Sequence, residues 1–544
     1  MKTVDTTGKH TDFRPHIGVD FGNDTLVISV GDEGENCIPL MLPGWTEKIV
    51  SGEHGGGSSF IPVRIRFTET GEPILGASAV PEDPASLRLT VRWMRKYVLE
   101  NSPVRVPGVG SRGMRYQDAG EVFFRNVLAR VVRETRRGAV IVFTVPSDAP
   151  EHYIQWLGCI AGAAGVPSWQ TIDESRAVIA GYGLVPSPGD GFLILRFDEL
   201  EIDARVIVVE DPFAGRAPTS TSVTGKATEP VGCGMIDSWI ARDLILRNRR
   251  GWGSTRGQGE PIPPALLLNA RDIRSRLICP VTGPADRPGA GFTNVPVPEY
   301  SSEDFDRILT SNGFFTALER TIDRALARAR SRGFDDHSLR AVLLVGTGCE
   351  LPAVKDAVRK RFTGYAVHCN RPCDAAAYGA ALSVLTAQDP GRIRHDYAIR
   401  YWDPAAREHR YRFLVHGGAR FPSAGQVARV TICAAYDGQT QLGIPLYEMP
   451  SPQGNEISAF ELIAEETGGV RLAGPTPDSV VQGRPVPATG GIPVYLAASP
   501  PAVKGEPRFE LTFTINENRC LCVTVRDLAT NRLLKKNEEI HTLV

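Results

Sequence analysis

Near residue 385 the hydrophobic pattern of this 544-residue chain changes its period, from about 3.6 residues to about 2, and no other feature narrows the possible folds as much. Between residues 17 and 385 short β-branched runs alternate with helix-period stretches, the pattern of an α/β region. Residues 139–145 read as a buried strand; after Pro146 come a Ser147–Asp148 capping pair and a helix with Tyr153, Leu157, Ile160 and Ala164 on one face. Further on, Phe315, Leu318, Ile322, Leu326 and Ala329 recur at helical spacing and Gly333 supplies a stop. Residues 341–345 are the next strand, ending in Gly346-Thr347-Gly348, and Pro352 opens another helix. From Tyr397 onward apolar residues alternate in twos between turn residues. The clearest hairpin sets Phe509, Leu511, Phe513 and Ile515 against Leu521, Val523 and Val525, with a turn at 516–519. The expected organisation is a polar extension over 1–16, an α/β domain over 17–385, a linker over 386–396 and an all-β sandwich over 397–544. Loops are expected at 256–264, 450–453, 474–477 and 485–491.

Charge and cysteine usage exclude several classes. Sixty-one basic side chains against 62 acidic ones leave a net charge of -1, so no global basic field is available for nucleic acid or an anionic membrane. No apolar run approaches the roughly 18 residues of a membrane span. The polar N-terminus lacks an apolar secretory segment, which makes the cytoplasm the expected address. Ten cysteines lack the spacing of a disulfide framework and read as reduced thiols. His368, Cys369 and Cys373 come nearest to a metal cluster but have no second ligand pair, and Cys520 and Cys522 share one face of a strand, as core residues do.

Residues 17–21 form a strand, Gly22-Asn23-Asp24 a turn, and residues 26–30 a second strand. Such a turn presents backbone N–H groups to an anion, and Asp20 at the strand end can hold a hydrated Mg²⁺. Gly18-Val19-Asp20-Phe21-Gly22 resembles the G-I-D-L-G-T-T opening of the 70-kilodalton heat-shock chaperone family. Residues 140–184, VIVFTVPSDAPEHYIQWLGCIAGAAGVPSWQTIDESRAVIAGYGL, resemble that family's AVITVPAYF…IAGL…INEPTAAALAYGL. VLLVGTGCELPAVKDAV (342–358) and AAAYGAAL (375–382) resemble its adenosine motif and the helix after it. AAYDGQTQLGIPLYE (434–448) and PRFELTFTINENRCLCVTVRD (507–527) resemble two stretches of its substrate domain. The matches keep the family's order across residues 17–544.

The resemblance implies an actin-like ATPase fold of two duplicated lobes, followed by an all-β sandwich that holds extended hydrophobic peptide. ATP or ADP with Mg would sit between two glycine turns, one from each lobe, where backbone amides approach without Cβ atoms in the way. By that resemblance Asp20 and Gly22 match the first turn, with Asn23 and Asp24 in place of its threonines. Glu174 matches an acidic residue of the connecting helix, Asp272 and Arg276 match residues that contact the adenosine, and Gly346 matches the adenosine loop. Glu350 stands where an arginine covers the adenine, and Cys373 where an aspartate lies near the ribose. Tyr411 and Ala435 fall at the arch over the peptide, with Ile432, Leu442 and Ile444 lining its apolar pocket; the pattern alone fits these three equally to sandwich core.

The second phosphate turn departs from the family. Aligned without gaps, D-L-G-G-G-T-F-D becomes Arg196-Phe197-Asp198-Glu199-Leu200-Glu201-Ile202-Asp203. All three glycines are replaced, and Arg196 takes the metal-positioning aspartate's place. A register two residues shorter puts Asp198 there instead. Two like charges about 4 Å apart cost about 4 kcal/mol at an effective dielectric near 20 unless a cation intervenes. In TVRWMRKYV (90–98) the family's catalytic lysine becomes Arg95, or Lys96 after a one-residue slip. The catalytic candidates are thus Asp20, Arg95, Glu174 and Asp198, with Asp20 as the metal ligand.

With these positions altered, ATP hydrolysis is expected to be weak or lost while binding stays open. The linker TAQDPGRIRHDYAIR (386–400) has no apolar run, and a sandwich without a helical lid is expected. The expected function is a heat-shock-70-like chaperone or co-chaperone that binds unfolded or extended polypeptide, with co-chaperones as further partners. An active folding ATPase with a rebuilt phosphate loop and an actin-like small-molecule kinase are the alternatives.

Overall fold

The computed structural model describes residues 16–543 apart from 32–36, 51–56, 82–83, 107–108, 110–112, 136–138, 211–220, 248–261, 279–299, 387–392, 394, 404–407, 418, 420, 424, 450–456, 459–460, 465–469, 474–479, 482–485, 489–493 and 517–518. The N-terminal extension, most of the linker and most of the four expected loops therefore lie outside the described residues.

Two large sheets with the same internal order dominate the α/β region, beside a three-stranded and a two-stranded sheet. In the first, strands β1 (His16–Phe21), β2 (Thr25–Gly31) and β3 (Cys37–Pro39) form an antiparallel meander. Helices α1 (Met94–Leu99) and α2 (Tyr116–Glu134) follow. Then β4 (Val140–Val145) lies parallel to β1, α3 (Glu151–Ala163) crosses over, β5 (Ser168–Asp173) lies parallel to β4, and α4 (Glu174–Gly181) leaves. The second sheet repeats this plan. Its meander is β6 (Gly191–Phe197), β7 (Ile202–Val209) and β8 (Thr221–Glu229). Helices α5 (Cys233–Arg247), α6 (Pro264–Ile278) and α7 (Phe314–Ser331) precede β9 (Leu339–Val345), which is parallel to β6. Helix α8 (Pro352–Arg361), strand β10 (Ala366–His368) and helix α9 (Ala375–Thr386) complete it. Strand order is β5-β4-β1-β2, counted from the β5 edge of the first sheet, and β10-β9-β6-β7-β8 in the second.

The sequence accounts for these elements. Strands β1, β4, β6 and β9 are near-continuous apolar runs because helices cover both faces of a parallel sheet. Helix α7 buries Phe314, Leu318, Ile322, Leu326 and Ala329 at helical spacing, and Gly333, at φ +88°, ends it. The expected Ser147–Asp148 cap is corrected. Pro150 is the N-cap of α3, Ser147 donates to Asp173 (2.6 Å), and Asp148 takes the Lys226 ammonium (3.0 Å). Between the sheets α4 and α9 cross in direct backbone contact. A Cβ on Gly181 would stand 1.8 Å from the Ala375 carbonyl oxygen, and one on Gly379 1.9 Å from that of Ala177.

Strand β8 borders the second sheet and runs beside α7, whose arginines recur every fourth residue. Arg320 and Arg324 hold Glu229, while Arg328 and Arg332 donate to the Lys226 and Thr224 carbonyls (2.6 and 3.1 Å).

Beyond α9 the described chain is β-rich. Strands β11 (Asp396–Asp403), β12 (Glu408–Val415) and β15 (Leu446–Met449) form one sheet with a short fourth strand. Strands β13 (Ala428–Cys433), β17 (Pro507–Ile515), β18 (Cys520–Asp527) and β19 (Arg532–Thr542) form another, and β14 (Gln439–Ile444) pairs with β16 (Val494–Ala502). The β17–β18 hairpin has the expected register, with Leu511 opposite Val525, Phe513 opposite Val523 and Ile515 opposite Leu521. All these sheets feed one core, which includes Tyr397, Leu414, Leu442, Ile444, Phe509 and Val523. Ile393 is buried in the same core. The β-rich region meets the first sheet's α3 through His541 and Glu448.

Candidate interlobe cleft

The turn after β1 and the turn after β6 face each other between the two sheets. Gly22 closes the first turn through its N–H to the Thr25 carbonyl (2.8 Å), and a Cβ there would stand 2.8 Å from that oxygen. The second turn is built on Asp198, whose Oδ1 accepts the Leu200 and Glu201 N–H groups (2.9 and 3.1 Å). Strand β6 ends at Phe197, with Arg196 opposite Asp203 in the ladder. Side chains join the two turns. Asn23 Nδ2 donates to Asp198 Oδ2 (3.1 Å), and Thr347 Oγ1, next to Gly346, donates to Asp24 Oδ2 (3.0 Å). Arg92, from the first sheet's side, pairs with Glu199.

Behind these turns lies a second knot of charge. Asp20, 6% exposed, accepts the Thr144 hydroxyl. Glu174, 2% exposed at the start of α4, receives Arg196 (2.7 Å), Arg95 (3.4 Å) and Arg205 (3.8 Å). Arg205 also pairs with Asp203 (2.6 Å). Between Glu174, Arg196, Asp203 and Arg205 remains a cavity of about 10 Å³, room for one water.

The network distributes its charge unevenly. Burial opposes ionisation of Glu174, yet the Arg196, Arg95 and Arg205 guanidiniums outweigh it and bring the carboxyl down to about 2. Burial works the same way on Glu199, where Arg92, Arg271 and Arg274 win and the value again falls to about 2. Asp24 goes the other way, pushed up to about 7 by desolvation and then by Asp198 and Glu199. Glu201 also rises to about 7, through desolvation, Asp198 and Asp203. Desolvation, then Glu174, raises Asp20. The repulsion expected among these acids is thus relieved at Glu174 and Glu199 by arginines, whereas at Asp24 and Glu201 it adds to burial in pushing the carboxyls up.

The cleft gathers Asp20, Gly22, Asn23, Arg95, Glu174, Asp198 and Gly346. Gly346, at φ +96°, sits against Phe197: a Cβ would meet that residue's carbonyl oxygen at 2.4 Å. Asp272 and Arg276 are corrected. They pair with each other one turn apart on α6, and Arg276 is 53% exposed. Arg271 and Arg274 face the cleft instead, 4.0 and 3.8 Å from Glu199. A one-residue shift on a helix turns a side chain by about 100°, so the two pairs occupy different faces. Glu350 turns inward onto Lys355 (2.8 Å) rather than over the cleft, and Cys373 is buried beside it. Among the described residues no group of three His, Cys, Asp or Glu side chains is disposed to hold a metal ion.

The peptide positions separate. Ala435 is exposed, Ile432 is half-buried, and Tyr411 packs edge-on against Tyr447 (5.5 Å). Leu442 and Ile444, each 2% exposed, lie in the core of the β-rich region, one of the two readings the pattern left open for them. Sequence reasoning missed Arg92, Arg205, Arg271, Arg274 and Thr347. Arg271 and Arg274, three apart on α6, carried a legible sign in their shared face; the others are set by tertiary contact.

The chain matches no protein-family model. Heat shock protein SSC3, mitochondrial, of Saccharomyces cerevisiae is 26% identical to it over 553 aligned positions, which cover 95% of this chain and 76% of that protein. This chain is a distant relative of the 70-kilodalton heat-shock proteins. That kinship supports a chaperone-type function, and for a heat-shock-70 relative nucleotide binding, polypeptide clients and co-chaperones are family traits. The cytoplasmic expectation is corrected, because the matched heat-shock protein is mitochondrial. A polar N-terminus argues only against a secretory signal; mitochondrial transit peptides are polar as well.

The cleft of this heat-shock-70 relative does not fit Mg with a triphosphate. Asp198 and Glu199 carry carboxylates where glycine amides would cradle phosphate, and Arg95, Arg196 and Arg205 are already committed to Glu174.

Proposed function

We propose that this chain is a holding chaperone of heat-shock-70 type: residues 17–385 are an actin-like domain with little or no ATP turnover, residues 386–396 a linker, and residues 397–544 a β-sandwich that binds extended polypeptide. The repeated strand order of the two sheets, with α4 and α9 crossing between them, supports the actin-like reading. One observation carries the loss of turnover: the β6–β7 turn is Asp198-Glu199-Leu200-Glu201, tied to Asn23 and Arg92. Hydrolysis needs water, metal and phosphate aligned in one geometry, and this turn supplies acceptors where donors are required. Extended peptide would bind near Ala435 and Tyr411, with backbone hydrogen bonds and one inserted apolar side chain.

Two measurements on the full chain test this. Steady-state ATP hydrolysis should stay at background, and an apolar fluorescent heptapeptide should gain anisotropy on binding. Turnover abolished by Asp20→Asn would restore the active-ATPase alternative. Absence of peptide binding would remove the chaperone reading.

A further inference from the structure

The cross-cleft contacts share one property: each joins a residue of the first sheet's body to one of the second. Asn23 meets Asp198, Asp24 meets Thr347, Arg92 meets Glu199, Glu174 meets Arg196 and Arg205, and Asp148 meets Lys226. These are the two turns, and the strand ends behind them, that a nucleotide would bridge. We propose that the chain is its own cleft ligand: Arg92 on Glu199, and Arg196 with Arg205 on Glu174, hold the two bodies closed without nucleotide. The inference rests on reading the cleft as a former nucleotide site.

The closed state leaves a ligand little to gain. A ligand shifts an equilibrium only by its differential affinity for the two states. Here the corner between Glu174, Arg196, Asp203 and Arg205 has room for one water, and Arg95, Arg196 and Arg205 are already paired with Glu174 or Asp203. An incoming triphosphate would have to displace Glu174 or Glu199 from arginines that already surround them, while bringing further negative charge against Asp198. Closure is therefore a resting property of the fold, and Mg·ATP has no closed conformation left to select.

Hydrogen exchange of the full chain, with and without saturating Mg·ATP, tests this. Residues 20–25 and 196–203 should exchange slowly in the free protein, and Mg·ATP should leave both segments unchanged. Arg92→Met should speed exchange in both segments by about tenfold, since both are released when the bodies part. Fast exchange of both segments in the free wild type, protection gained on adding Mg·ATP, or acceleration confined to one segment would overturn the proposal. If Arg92→Met does not fold, the paired reversal Arg92→Glu with Glu199→Arg should restore slow exchange, and the wild-type comparison stands without either variant. Failure of heptapeptide binding would count against the chaperone reading and not against this closure.

Discussion

His541 Nε2 lies 2.9 Å from Glu151 Oε2 and so ties the last strand, β19, to the first turn of α3, 390 residues earlier in the chain. Glu448 lies against the same glutamate and is held by His395 Nδ1 at 3.1 Å. Burial, then the neighbouring Glu151 carboxylate, pushes Glu448 up to about 7 from its ordinary 4.5. A raised carboxyl favours the protonated, docked form. Its contribution is complete below about pH 4.5 and is lost as pH rises through about 7. The thermal midpoint should therefore fall across that window in the wild type, and Glu448→Gln should flatten the fall. An unchanged slope in the variant would place the pH dependence elsewhere.

Glu174→Gln removes the shared counter-ion of the buried Arg95 and the partly buried Arg196 and Arg205. A destabilisation of roughly 3–5 kcal/mol is expected in urea unfolding, because an unpaired buried charge costs more than a lost contact. Adding Arg196→Met should recover part of it, as coupled neighbours do. In the wild type the Glu174 contribution is present above its ordinary 4.5 and fades as pH falls toward about 2.

Gly379→Ala and Gly162→Ala should move stability in opposite directions. The first Cβ would meet the Ala177 carbonyl at 1.9 Å and force α4 and α9 apart, while the second meets nothing within 4 Å on α3. A loss of at least about 1–3 kcal/mol is expected for Gly379→Ala, and a gain of up to about 1 kcal/mol for Gly162→Ala. Calorimetric midpoints distinguish the two.

Leu442→Ala should cost about 2–5 kcal/mol, the penalty for emptying a buried site. Ala435→Asp, on an exposed loop position, should leave stability within about 0.5 kcal/mol and weaken binding of the apolar heptapeptide. Equal stability losses in both variants would contradict the separation of core from surface.

The change of period near residue 385 made the two regions legible, because strand and helix spacings follow from backbone geometry alone. The β17–β18 register was readable for the same reason: a slip of one residue would have turned Leu511, Phe513, Val523 and Val525 out of the core. The cleft was legible only in part. Asp20, Gly22, Asn23, Glu174 and Asp198 lie on adjoining turns and strand ends, which local motifs locate. Which arginine reaches which acid depends on how the two sheets pack across the cleft, and Arg92 and Glu199 are 107 positions apart. On α6 the error was rotational: Asp272 and Arg276 satisfied a pattern while Arg271 and Arg274 faced inward.

The guanidiniums of Arg328 and Arg332 on the border strand β8 have a consequence for how the second sheet can be extended. A foreign β-strand seeking to extend the second sheet would have to strip both donors from the Lys226 and Thr224 carbonyls and approach through a row of positive charge. That rim resists aggregation by strand recruitment at this border of the second sheet.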